Sequence, residues 1–215
     1  MSVLVRVLPA MGVGAALGVV ASWADWYAGR QYDVWGWLAL DHVVNAGSVW
    51  AWVAILGGWL VGRLGTGWLG GVLALMTAVA GYYIYGNLFG DRLGYGWTTL
   101  GSVVKLWLAA AVLLGPVLGT IGALARRGDA WGLTARLVPA VGALTEMGVV
   151  RGVGRSGDEA GTMAVVVVSA AALAWAVVVV LRWRLARRAG RSGELGQVSQ
   201  VSRDRAGTPG RPAAP

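Results

Sequence analysis

Two ionisable residues stand where a bilayer span would bury them: Lys105, in the apolar run from Thr98 to Ala125, and Glu146, in the run from Gly132 to Val150. A charge at the centre of a helix in lipid costs ~2.5–3.5 kcal/mol on insertion scales, so each of these asks for a partner or a purpose. At 1.5 Å per residue, Lys105 lies ~10 Å in from the Thr98 end and Glu146 ~6 Å in from the Val150 end. If the two runs are adjacent antiparallel helices, both groups occupy the outer half of the protein. Three arrangements meet that placement. Lys105 and Glu146 can form an ion pair; Lys105 can snorkel to the surface beside an independent Glu146; or a buried Glu146 with a raised pKa can bind a cation, relay a proton or act as a general acid.

More polar groups fall at a similar depth: Asn45 at the start of one run, and Tyr82, Tyr83, Tyr85 and Asn87 toward the end of another. They describe an outward-facing polar vestibule for a ligand if their helix faces turn inward. If not, they are interhelical hydrogen-bonding groups, worth roughly 0.6 kcal/mol each. Asp41 and His42 are the one adjacent acid–imidazole pair, but neighbours on a helix point ~100° apart, so no working dyad is expected from them. The chain has no cysteine and a single histidine. Disulfides, thiolate nucleophiles and histidine- or cysteine-built zinc sites are excluded, and no metal site is expected. There is no phosphate-binding Walker loop, no Gly-x-Ser-x-Gly elbow, no His-Glu-x-x-His helix and no aspartate-rich diphosphate motif. An ATP-driven or metal-dependent hydrolase is therefore not expected, and no cofactor is implied.

The elements that must position these residues follow from composition. Of 215 residues, 57% are apolar and 13% charged, against roughly 45–50% and 25% in soluble domains, which excludes a water-soluble globule. Six apolar runs can be marked: Val7–Trp26, Val43–Val61, Trp68–Leu88, Thr98–Ala125, Gly132–Val150 and Gly161–Leu181. Each approaches the ~20 residues that cross a bilayer as helix. The fold expected is all-α, a polytopic six-transmembrane helix bundle over residues 1–189 followed by a disordered tail over 190–215. Arg136, Pro139 and Glu146 make the fifth run the least regular. Between the first two runs, Gly29–Asn45 is too polar to span, yet Tyr32, Val34, Trp35, Trp37, Leu38 and Leu40 make it amphipathic. It reads as a short interfacial helix or re-entrant piece. The stretch from Glu194 onward has too little apolar surface to offset its ordering entropy.

The formal charge is +8, and its placement says more than its sum. Arg182, Arg184, Arg187, Arg188 and Arg191 follow the last run directly, as a cytoplasmic stop anchor does, with attraction to anionic lipid of roughly 1 kcal/mol per residue. No nucleic-acid partner is expected, since no basic face with reading elements accompanies them. With the N-terminus inside, Arg6, Arg63, Arg126 and Arg127 join the C-terminal arginines on the cytoplasmic side, leaving Arg30, Arg92, Arg151 and Arg155 outside. Asp25, Asp33, Asp41, Asp91, Asp158 and Glu159 would also lie outside. Both termini are therefore expected in the cytoplasm of a bacterium whose Arg-, Gly- and Ala-rich usage suits GC-rich coding, with the protein multi-pass in its plasma membrane.

Tryptophan occurs thirteen times, mostly at run ends, where an amphipathic ring suits the headgroup zone. Glycine pairs at GxxxG spacing, among them Gly14/Gly18, Gly58/Gly62, Gly67/Gly71 and Gly115/Gly119, license close helix packing, and Pro116 can kink the fourth run. Homo-oligomers or a membrane partner are compatible with that surface. Two turns echo each other, Arg63-Leu-Gly-Thr-Gly-Trp68 and Arg127-Gly-Asp-Ala-Trp131-Gly, as two helical hairpins of a pseudo-repeat would, or by convergence of arginine-rich inner turns.

Four motifs stand in order along the chain, Asn45-Ala-Gly-Ser-Val-Trp50, Gly81-Tyr82-Tyr83, Gly115-Pro116-Val-Leu-Gly119 with Arg126-Arg127, and Ala143-Leu-Thr-Glu146. On these the chain resembles the domain of unknown function family 6518, small integral membrane proteins of high-GC Gram-positive bacteria, over roughly Val7–Leu181. Where that family commonly has Asn-Ser-Gly, this chain has Asn45-Ala46-Gly47. The resemblance implies six spans and no assigned activity, and marks Asn45, Tyr82, Tyr83, Pro116 and Glu146 as motif positions. Three functions fit: a non-enzymatic module that binds or passes a small or lipidic ligand or supports a membrane complex; a membrane-embedded enzyme on a lipid or isoprenoid, with Glu146 as general acid; or a structural bundle.

Overall fold

The structure is a computed structural model that describes residues 3–30, 34–89, 97–151 and 159–206. Among these the chain is all helix. The elements are α1 (Val3–Ala28), α2 (Trp35–Val44), α3 (Gly47–Val61), α4 (Leu64–Phe89), α5 (Trp97–Leu124), α6 (Ala130–Thr145) with a π-helical turn Glu146–Arg151 at its end, and α7 (Glu159–Ala206). Five helices are long and apolar enough to cross a membrane: α1, α4, α5, α6 with its π turn, and α7. The second run is built differently from the single span expected. α3 has 15 residues, ~22 Å of helix and short of a ~30 Å core. It joins α2 at a 49° bend, and the two pass as a span only together. The break falls at Asn45–Ala46, where Ala46 takes extended dihedrals (φ −68°, ψ 135°) and starts α3 afresh. α2 is the amphipathic segment anticipated between the first two runs. α7 continues as helix to Ala206, through the Glu194 stretch. The loop positions Arg92, Arg155, Tyr32, Asp33, Asp91 and Asp158, and residues 207–215 of the tail, lie outside the described residues.

By internal contacts the chain divides into Met1–Ala176 and Val177–Pro215. In the second unit Arg187 lies over the Trp183 ring, 4.2 Å from its centroid.

Small residues set the packing of the first unit. In lipid no hydrophobic drive brings helices together, so association relies on close van der Waals approach, which only small side chains permit. α1 and α4 run parallel: Gly14 faces the Ala74 carbonyl, Gly18 the Ala78 carbonyl, and Gly81 the Ala15 carbonyl. The Thr77 hydroxyl crosses this seam to donate to the Met11 carbonyl at 2.9 Å. α3, α4 and α5 meet at a second knot, where Gly58 abuts the Gly119 carbonyl, Gly119 abuts Gly67 and Gly71, and Gly115 sits against Val72. Most of the spaced pairs are therefore true contacts. Gly62 differs: with φ +72° it ends α3 in the left-handed conformation that costs glycine nothing, beside the Arg126 guanidinium. Pro116 lies within α5, and the Thr120 hydroxyl donates to its carbonyl at 2.7 Å.

The two turns that echo each other in sequence meet at one end of the bundle, the end at which α1 begins. Arg126 lies over Trp59, 4.9 Å from the ring centroid. Arg136 reaches back from α6, its Nε donating to the Ala125 carbonyl at 2.6 Å and its Nη2 to the Arg127 carbonyl at 2.9 Å, a cation at the C-terminus of α5. Asp129 caps α6, accepting from the Gly132 N–H at 3.0 Å, and pairs with Arg127. The Arg127 hydrogen bond, then the Gly132 N–H, holds the Asp129 carboxyl below its ordinary 3.8. A depressed folded pKa means stability that is present above the ordinary value and lost as pH falls through the lowered one. Asp129→Ala is expected to lower the melting temperature at neutral pH, and melting curves across an acid titration should show the gap to wild type closing below the ordinary aspartate range. A gap independent of pH would remove the charged cap.

Candidate functional site: a cavity between α3, α4 and α5

Beyond the glycine knot, α3, α4 and α5 enclose a cavity on the Asn45 side. Small side chains there, Ala51 on α3 and Ala110 and Ala111 on α5, leave the space unfilled. Its volume is about 380 Å³. Its wall consists of Asn45 and the α3 residues Gly47, Trp50 and Ala51; Leu75, Val79, Tyr82 and Tyr83 from α4; and Trp107, Ala110, Ala111, Leu114 and Leu118 from α5. Leu114 and Trp107 are 57% and 49% exposed, so the cavity opens past α5 toward the apolar flank. One end is aliphatic, at Leu75, Leu114 and Leu118. The other is aromatic and polar, at Asn45, Trp50, Tyr82, Tyr83 and Trp107.

The polar end is tied down by hydrogen bonds. The Tyr82 hydroxyl donates to Asp25 Oδ2 on α1 at 2.8 Å, and Asn45 Nδ2 donates to Asp41 Oδ1 on α2 at 2.6 Å. The Trp50 indole N–H donates to the Val44 carbonyl at 3.1 Å, fastening the α2–α3 break from within. The Trp107 indole lines the same end as the Tyr83 phenol. Ring centroids lie 6.4 Å apart for Trp50–Tyr82 and 5.1 Å for Tyr82–Tyr83, with planes at 63° and 76°.

Glu146 serves the same break from the other side. Its carboxylate accepts from the backbone N–H of Gly47 at 2.9 Å and of Ser48 at 2.6 Å, the first free donors of α3. Arg151 stands 3.3 Å from Glu146 through Nε. Its Nη1 donates to the His42 carbonyl at 3.1 Å and its Nη2 to the Asn45 carbonyl at 3.4 Å, at the C-terminal end of α2. A carboxylate thus meets the positive end of one short helix and a guanidinium the negative end of the other, which is where each charge is stabilised.

The expected Lys105–Glu146 ion pair is not formed. Lys105 is exposed on α5, and the Glu146 oxygens are taken by Gly47, Ser48 and Arg151. Spacing hid that partner, because residues five apart on an α-helix point ~140° away from each other. The π turn over Glu146–Arg151, with its wider i→i+5 bonding, closes the gap. Of the vestibule residues, Asn45, Tyr82 and Tyr83 line the cavity, whereas Asn87, Lys105 and Glu146 do not. Asn87 instead donates to the Tyr83 carbonyl of its own helix at 2.8 Å. Gly58, Gly115, Pro116 and Gly119 lie outside the cavity wall. Sequence reasoning missed Trp107, Asp25 and Arg151. Trp107 carried a signal, as an aromatic two residues from a lysine set within an apolar run.

No family model, curated protein or solved structure matches this chain, so the site rests on its own geometry. That geometry offers shape, apolar surface and a few fixed polar groups, the attributes of a ligand pocket. Among the described residues no group of three His, Asp or Glu could hold a metal ion.

Proposed function

We propose that this multi-pass membrane protein is a non-enzymatic binding module that takes a lipidic or other largely apolar ligand, with a polar head, from the bilayer into the cavity between α3, α4 and α5. The observation that carries this is a cavity open past exposed Leu114 and Trp107, aliphatic at one end and aromatic and hydrogen-bonded at the other. The enzyme reading loses its acid, since Glu146 is off the wall and committed to α3 and Arg151. A kinship with the domain of unknown function family 6518 is part of the proposal, supported by three of its motif residues, Asn45, Tyr82 and Tyr83, lining one cavity. So is a bacterial plasma-membrane topology with cytoplasmic termini. Supporting it are Arg63, Arg126, Arg127 and Arg136 at the end where α1 begins, against Arg30 and Arg151 among the described residues at the other. Exposed Arg182, Arg184, Arg187 and Arg188, with Arg191, supply attraction to anionic lipid.

The test fills the cavity. Native mass spectrometry of wild type purified with lipid is expected to show a discrete bound species, absent from Ala110→Phe with an unchanged melting curve. Bare wild-type protein, or equal retention by both, would defeat the binding reading.

A further inference from the structure

We infer that the cavity's ligand is a lipophilic cation, an apolar body carrying an ammonium group seated among Trp50, Tyr82, Tyr83 and Trp107. The inference rests on the proposed binding function and names its ligand class. Four aromatic side chains gather at one end of the cavity, and successive rings meet at steep angles, 63° between Trp50 and Tyr82 and 76° between Tyr82 and Tyr83. The four rings line one cavity, and a cation held against aromatic faces there is attracted by the ring quadrupoles. The hydroxyl of Tyr82 is turned away to donate to Asp25, which enriches that ring in electrons.

Charge around these rings has the matching sign. Asp25 stands one hydrogen bond behind Tyr82, and Asp41 one hydrogen bond behind Asn45. Among the described residues neither carboxylate is in an ion pair. His42 and Arg151 offset part of the Asp41 charge, but Arg151 is also bound to Glu146 and the C-terminal carbonyls of α2, and Arg30 lies over Trp26 at 4.2 Å. An anionic head would be repelled here, and a neutral one would gain none of the cation–π attraction. Leu75, Leu114 and Leu118 then receive the apolar body.

Benzyltrimethylammonium and neopentylbenzene have the same shape, with nitrogen in one replaced by carbon in the other, so their comparison isolates the charge. Binding of each to the full chain in maltoside detergent would be measured by saturation-transfer NMR against detergent blanks. The cation is expected to bind wild type about tenfold more tightly than its isostere. That preference should shrink several-fold in Asp25→Asn, which keeps an acceptor for Tyr82, and both ligands should be lost in Ala110→Phe. Equal affinities, both lost in Ala110→Phe, would overturn the cation inference and leave the cavity reading standing. No binding sensitive to Ala110→Phe would overturn both.

Discussion

Gly58→Leu is expected to destroy most of the protein's stability in detergent. A Cβ at Gly58 would overlap the Gly119 carbonyl oxygen and crowd its carbon and Cα, all backbone, which cannot swing aside as a side chain can. Gly119 is itself pressed against Gly67 and Gly71, so the displacement spreads through α3, α4 and α5 together. Overpacking costs ~1–3 kcal/mol and occasionally more, and this site belongs at the upper end. The measurement is the melting temperature and the monodisperse fraction of Gly58→Leu beside Gly142→Leu, a glycine around which a Cβ meets nothing within 4 Å. If both variants melt alike, the three-helix knot is wrong.

Glu146→Ala comes next, by a different mechanism. It strips the first donors of α3 of their acceptor and leaves Arg151 facing only carbonyls. The pair is partly shielded, with side chains 18% and 27% exposed for Glu146 and Arg151. Loss of a cap together with an unsatisfied charged partner is therefore expected to cost ~2–4 kcal/mol, short of the figure for a fully buried pair. Glu146→Gln should cost less, because one carbonyl oxygen can still accept. In a double-mutant cycle Glu146 and Arg151 should couple by ~0.5–3 kcal/mol, while Lys105→Ala should stay within about 0.5 kcal/mol of wild type. Coupling of Glu146 to Lys105 and none to Arg151 would reverse the assignment.

The break that Glu146 serves also shapes the site. With one continuous helix from Val43 to Val61, the Gly47 N–H would be spent within the helix and Asn45 would lie along it. Instead α2 ends and α3 begins beside the cavity, which puts Asn45 in the wall and both helix ends within reach of one Glu–Arg pair. Fixing the break from two sides, by Trp50 within and Glu146 without, suits a site whose polar groups must hold their directions.

Hydropathy by itself determined the helices: apolar runs near bilayer length have one way to satisfy their backbone in lipid, and α1, α4, α5, α6 and α7 fall where those runs lie. Glycine spacing determined that helices approach closely, because a missing Cβ is a local property readable from the letters. Asn45, Tyr82 and Tyr83, expected from the letters to lie near one another, line one cavity. Tertiary structure alone decided which partner each group takes. Lys105 and Glu146, expected at a similar depth, share no contact, since depth leaves the helix face open, and the π turn rotates Arg151 onto Glu146 against α-helical periodicity. It also decided that Asp25 and Trp107 join the site, because the helices that carry them converge there only once the glycine contacts fix their crossings.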